Sequence, residues 1–227
     1  MGIVDGGYSL AKLGRGAVRA VIALDPVATA APANIADVIA MNNSAGAYAL
    51  QSGWTDLGAT TGGTDYERGM EESELEIDQV AGTIDAEITD VPRSIKLPLA
   101  HISDDILKVI ENGSVTTVAA AANKSAQQRV EAGLFADLPV YRVCLIGLRS
   151  LKAGIVTENA GGGALQRGRM VMLALYRVQL EADAASFSFE KGSLWSGEVG
   201  FRLFPEPGKA SGKEHLSWFT ETAGTIA

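Results

Sequence analysis

The chain has 227 residues, and 19 Lys and Arg against 27 Asp and Glu give a formal net charge of −8. A protein that grips DNA offers Lys and Arg to displace counterions from phosphates, so this balance excludes a dedicated nucleic-acid clamp. Hydrophobic residues at 47% exclude a disordered acidic chain, and the length is enough for one good-sized core without a disulfide or metal staple.

Glycine is frequent, 26 residues, which predicts many turns. Residues 16–25 (GAVRAVIALD) are β-branched-rich and stop at Pro26, the pattern of a first strand. A short helix is expected around Ile35 to Ile39 in the small apolar stretch 28–40. Residues 54–63 (WTDLGATTGG) read as a structured loop, with glycines available for positive φ.

In residues 73–80 (SELEIDQV), Glu74, Glu76 and Asp78 alternate with Leu75 and Ile77, the period-two signature of a half-buried strand with an anionic face. Gly82 turns the chain into a strand over 83–90, and Ile95, Leu97 and Leu99 alternate again over 93–100, so a meander is expected. Ser103, Asp104 and Asp105 then precede Ile106, Leu107, Ile110 and Gly113: a cap, an acidic first turn, an apolar face and a C′ glycine, hence one short helix near 103–112. The Ala-rich stretch 115–135 fits a helix or an ordered loop. Strand patterns return at 140–148, 169–180 and 194–204, with turns at 161–163 and around Gly192. Pro205 and Pro207 close the last strand, and 208–227 is a polar tail whose Trp218 and Phe219 either call for a partner surface or pack as an arm on their own domain.

Chemistry-bearing constellations are weak. Cys144 is the single cysteine, which rules out an intrachain disulfide, and His101 and His215 are isolated, so no metal or catalytic pair is assigned. Gly212-Lys213 is followed by Glu214 instead of Ser or Thr, with Pro207 where a phosphate loop needs its first glycine. Gly161 and Gly163 lack the third glycine of a dinucleotide fingerprint, since Gln166 stands there. Gly7-Tyr8-Ser9-Leu10-Ala11 lacks the closing glycine of a nucleophile elbow. Asp104/Asp105 and the acidic row on 74–78 read as solvated faces, not as a glycosidase pair. No stretch approaches the ~20 uninterrupted apolar residues of a membrane span, and Asp5 stands where an export signal would be basic.

Several blocks in order carry a family likeness: Gly16-Ala-Val-Arg-Ala, Ile35-Ala-Asp-Val-Ile39, the run 53–63, Leu75-Glu-Ile-Asp-Gln79, then 145–147, 167–170, 176–178, 189–192 and Val199-Gly-Phe-Arg-Leu-Phe-Pro205. This set resembles the major tail tube protein of long-tailed (siphovirus-like) bacteriophages. The Ala-rich stretch and the tail depart from the pattern. The resemblance implies a mainly β fold, a β-sandwich or barrel-like tail-tube domain over 15–207 with one short flanking helix, a variable insert at 115–136, and arms at 1–14 and 208–227. It further implies a structural virion protein of the phage tail, assembled in the host cytoplasm as hexameric rings stacked into a hollow tube through which double-stranded DNA passes on ejection. Its partners would be copies of itself, a tape measure protein and tail terminator and baseplate proteins, with no membrane, cofactor, metal or catalytic residue.

Charge along the sequence is segregated. Residues 64–90 carry ten acids from Asp65 to Asp90 against Arg68 alone, whereas 139–180 carries Arg142, Arg149, Lys152, Arg167, Arg169 and Arg177 against Glu158. Two expectations follow. Glu74, Glu76, Asp78, Asp85 and Glu87 line the bore, where an anionic wall keeps DNA from sticking within the ~8 Å Debye length. Arg142, Arg149, Arg167 and Arg169, with Trp218 and Phe219, meet neighbouring subunits, because opposite charge across a head-to-tail contact fixes register. Candidate clamps are 1–14, 59–72, 115–136 and 208–227.

The same architecture would serve a tailocin or type VI-like secretion tube. A reading from another class is a monomeric β-sandwich binding module, which calls for an aromatic platform; Trp54, Trp195 and Trp218 lie in separate segments. An enzyme ranks last.

Overall fold

The structure, a computed structural model, describes residues 18–42, 47–60, 64–76, 83–100, 104–122, 124–132, 138–149, 155–160, 163–188, 196–222 and 224–226. In chain order the strands are β1 (Val18–Ala23), β2 (Ile39–Asn42), β3 (Ala47–Leu50), β4 (Trp54–Ala59), β5 (Asp65–Arg68), β6 (Glu71–Glu76), β7 (Thr83–Asp90) and β8 (Arg93–Leu99). Helix α1 (Asp104–Ile110) follows, then β9 (Ser114–Val118), β10 (Gln127–Glu131), β11 (Tyr141–Leu148), β12 (Ile155–Ala160), β13 (Gly163–Gly168), β14 (Met170–Ser188), β15 (Ser196–Leu203), β16 (Leu216–Thr220) and β17 (Gly224–Ile226). The fold is mainly β, with one short α-helix among the described residues.

The largest sheet has the order β4-β1-β11-β14-β15-β8-β5, with β16 added to β14. Strand β11 reads YRVCLIGL and is buried from Tyr141 to Gly147. A run with so little alternation needs cover on both faces, and two apolar clusters supply it. One face, with Ala20, Ile22, Val143, Leu145 and Leu175, packs against Ile95, Leu97, Leu99, Val199, Phe201 and Leu203 from β8 and β15. The other, with Val21, Cys144, Ile146, Met172 and Tyr176, is covered by Val38, Ile39 and Trp54 and, at its rim, Phe219.

Strand β14 serves both halves because of a bulge. Tyr141 lies opposite Val178 but Val143 opposite Leu175, so β14 holds one extra residue between these pairs. The extra residue resets its alternation: Leu175 and Val178 both reach the first cluster, while Tyr176 stays in the second. A bulge also bends its strand, and from Val178 onward β14 pairs with β15 instead. At the far edge Thr60, just past β4, bridges to Leu99 at the end of β8. The sheet therefore curls until its first strand, β4, meets β8, the last but one, giving a sandwich-like, nearly closed barrel around the first cluster.

Ile106 and Val109 of α1 are buried in that cluster. The helix ends in a Schellman motif, with the Gly113 amide donating to the Lys108 carbonyl at 3.0 Å and the Asn112 amide to that of Val109 at 3.4 Å. The left-handed C′ position falls to Asn112, φ 45°, and Gly113 follows it as C″, one place later than the expected C′ glycine.

Two expectations are corrected. The glycine-rich run at 54–63 begins as strand β4, where Gly58 (φ 96°) accompanies a register shift that turns Leu57 into the core. The stretch 115–135, expected as a helix or an ordered loop, contains the antiparallel hairpin β9–β10. Of the two readings of the tail, the structure shows the arm packed on its own domain, with β16 antiparallel to β14 and β17 parallel to β12. The short helix at 35–39 is a single 3-10 turn, Ile35–Asp37, held by a capping box between Asn34 and Asp37. Residues 1–14, Asp78, Ser103 and the turn at Gly192 lie outside the described residues.

Candidate assembly surfaces

Strands β6 and β7 form a two-stranded ribbon of their own, rooted where the Gly69 amide donates to the Pro92 carbonyl at 2.8 Å. The two strands carry Glu71, Glu72, Glu74, Glu76, Asp85, Glu87 and Asp90 and no Lys or Arg. Their register sets Glu72 opposite Ile88, Ser73 opposite Glu87, Glu74 opposite Ala86 and Leu75 opposite Asp85. Each of these rows holds one acid, whereas the row at the root sets Glu71 opposite Asp90. Alternate rows belong to opposite faces of a ribbon, so Glu74 on the one hand and Asp85 and Glu87 on the other fall on different faces. Of the five expected bore residues, Asp78 lies outside the described residues. Next to the ribbon, β5 presents Asp65 and Glu67 in a fully exposed edge strand.

The basic residues divide. Arg142, expected at a subunit contact, is 6% exposed and works inside the subunit. Its Nε donates to the Thr29 carbonyl at 2.9 Å, Nη1 to the Tyr176 carbonyl at 2.6 Å, and Nη2 to the Pro26 carbonyl at 3.0 Å and to Glu206 Oε1 at 2.7 Å. The planar fork of arginine reaches all four at once. Asp25 prepares two of the acceptors, because its Oδ1 takes the amides of Val27 and Ala28 and so turns the 26–29 loop inward. A charge enclosed in this way is not offered to a neighbour. The signal for it is legible in retrospect: Arg142 is the one charged residue in an otherwise apolar strand, and a buried charge persists only when it is paired and hydrogen-bonded.

Arg149 and Arg169 lie together at the other end of β11 and β14, where the Arg149 amide donates to the Arg169 carbonyl at 2.9 Å. Arg149 is exposed. Arg169 is half-buried, and its Nε is buried without a hydrogen-bond partner among the described residues. Arg167 stands opposite Val156 in the β12–β13 pair that leads into this end. Glu221 is the acid here, with Oε2 accepting the Met170 amide at 2.6 Å.

Trp218 and Phe219 part company on β16. Phe219 packs at the rim of the second cluster, while Trp218, opposite Leu173, is 58% exposed and donates Nε1 to Thr220 Oγ1 at 3.0 Å. Ser217, just before them, accepts from the Tyr176 hydroxyl. The tail thus folds onto its own barrel and leaves the indole outside. A groove of about 430 Å³ runs between the 3-10 turn and this strand, lined by Ile35, Ala36, Phe219 and Thr222 among others.

Burial pushes the Tyr141 phenol up to about 12 and raises the Cys144 thiol further, Arg142 opposing the latter. Burial, with Arg93 next, lowers His215, against Glu214 and Asp90. His101 lies outside the described residues. Among the described residues no cluster of His, Cys, Asp and Glu is placed to hold a metal ion, and no helix is long and apolar enough to cross a membrane. Compared with known proteins, the chain matches no family model and no curated relative.

Proposed function

We propose that this chain is a self-assembling structural protein, the tube-forming subunit of a phage tail, in keeping with its resemblance to major tail tube proteins. The observation that carries the reading is the set of small strand pairs outside the barrel: β2–β3, β6–β7, β9–β10 and the β13-β12-β17 trio each form a separate sheet. A two-stranded ribbon is marginal alone in water and gains stability by packing against something else. In β9–β10 every residue except Val115 and Val130 is exposed, so neighbouring copies are the natural cover. Copies related by a head-to-tail operation close into rings or continue as filaments.

In such a tube the acids of the β6–β7 ribbon supply an anionic surface. Duplex DNA carries one charge per ~1.7 Å of axis, and a basic bore would hold it by counterion release, whereas an anionic one lets it pass. Replacing Glu74, Glu76 and Asp78 by Lys is expected to slow or abort genome delivery with tube length intact; unchanged infectivity counts against an acidic bore. Sedimentation across a range of concentrations, with negative-stain microscopy, tests the reading as a whole. Rings or hollow filaments support it, and a monodisperse monomer at every concentration and ionic strength contradicts it. A secretion-type tube shares these expectations and differs in cargo, which the genes beside this one would reveal.

A further inference from the structure

Two strands without a charged residue each keep one open edge. Among the described residues β16 (LSWFT) pairs with β14 alone, and β9 (SVTTV) with β10 alone. The Tyr176 amide donates to the His215 carbonyl and the Glu221 amide to the Met170 carbonyl, each at 3.0 Å. Hydrogen-bonded pairs alternate along an antiparallel ladder, and β16 keeps one register on β14. Residues 215, 217, 219 and 221 therefore turn their main-chain groups to β14, and Leu216, Trp218 and Thr220 turn theirs outward. In the hairpin the Gly113 amide is taken by the Lys108 carbonyl. The hydrogen-bonded positions of β9 are then 114, 116 and 118, which leaves Val115 and Thr117 facing outward.

Resting on the tube reading, we infer that the open edge of β16 receives β9 of a second copy as an added antiparallel strand, with Thr117 opposite Trp218 and Val115 opposite Thr220. The two strands are equal in length, five residues each. Charge selects the pair. Copies that each carry a net −8 repel one another, and β5, an edge of the same sheet as β16, carries Asp65, Glu67 and Arg68, the usual guard against strand addition. Two uncharged edges meet without that penalty. The register also covers exposed apolar groups: Trp218 gains β-branched Thr117 across the join, and Val118, 44% exposed, comes diagonal to Phe219. Aromatic and β-branched side chains so placed stabilise a sheet. Main-chain bonds supply affinity and the alternating side chains the choice of partner. Each subunit has one edge of either kind, so the contact is head-to-tail and repeats from copy to copy. Neither strand belongs to the acidic ribbon.

The test is assembly of the purified full-length chain, read by light scattering and electron microscopy, with hydrogen exchange of 114–118 and 216–220 followed before and after assembly. In the wild type both segments should become protected together. T117P and T220P each remove one outward N–H and no main-chain bond within the subunit; T117V and T220V keep that N–H. The proline variants, checked for native circular dichroism, should raise the concentration needed for assembly about tenfold or more over their valine counterparts. In whatever still assembles, T220P should leave 114–118 unprotected and T117P should do the same to 216–220. Proline variants that assemble as readily as the valine ones, or wild-type assemblies in which either segment exchanges as fast as in the free subunit, overturn this contact and leave the tube reading standing. A wild type that never assembles overturns both.

Discussion

The Arg142 guanidinium donates to the main-chain carbonyl of Tyr176 at 2.6 Å, beside the extra residue that bends β14 from one half of the barrel into the other. A bulge takes main-chain groups out of the regular ladder, and this carbonyl finds its donor in a side chain 34 residues away. The same guanidinium closes the 26–29 loop and pairs with Glu206. Lys209 seals the site, its Nζ 4.4 Å above the Tyr176 ring.

Arg142→Met is therefore expected to destabilise the subunit by about 3–5 kcal/mol, because it strands Glu206 and leaves buried carbonyls without donors. Arg142→Lys keeps the charge and loses the fork, and should fall between. Chemical denaturation of the unassembled protein checks both, and an Arg142→Met variant as stable as wild type would show that the staple is dispensable.

The raised Tyr141 phenol ties stability to alkaline pH. Its folded-state value, about 12, lies above the ordinary 10, so the folded state holds this proton more tightly. The contribution is fully present below pH 10 and is lost as pH rises toward 12. Ultraviolet titration should show one tyrosine ionising near pH 12, coincident with alkaline unfolding, and Tyr141→Phe should remove that component.

Cys144 is fully buried with a raised thiol pKa, and the thiolate is the reactive form. A thiol reagent should label the native protein negligibly at pH 8 and stoichiometrically after denaturation. Rapid native labelling would mean that the two-sided cover of β11 opens readily.

At Gly113 a Cβ would lie 2.5 Å from the Glu131 carbonyl oxygen, because the β9–β10 hairpin closes directly against the end of α1. Gly113→Ala should cost about 1–3 kcal/mol through this overpacking and should loosen the hairpin. Hydrogen exchange of the β9–β10 amides measures the second effect.

Trp218, 58% exposed, makes little of the subunit's own core. Its replacement by Ala should change subunit stability by no more than about 0.5 kcal/mol, the usual range for surface sites. Exposed tryptophan is also the residue type most enriched at interface hot spots, so the same variant should assemble less readily than wild type. Equal assembly would remove the indole from the contact.

Much of the barrel was legible because its strands obey simple periodicity. Alternation marked β8, where Ile95, Leu97 and Leu99 are buried and their neighbours are not, and an apolar run interrupted by Arg142 alone marked β11. Strand β4 was obscured because the bulge at Gly58 breaks the alternation and brings in turn-like residues. The β9–β10 hairpin was obscured because alanine fits helix and turn alike. Charge separation along the chain was legible from composition, yet sign alone does not tell a presented arginine from an enclosed one: Arg149 is exposed, and Arg142, seven residues earlier in the same run, is bound by acceptors on three other segments. Those partners are brought in by tertiary structure, which no local pattern encodes.

Helical reconstruction of the assembled chain from electron micrographs measures the central claim most directly. The account predicts stacked rings around an open bore whose wall is acidic, with residues 71–90 contributing to it. A lone particle that never multimerises, or a bore lined by arginine and lysine, would contradict it.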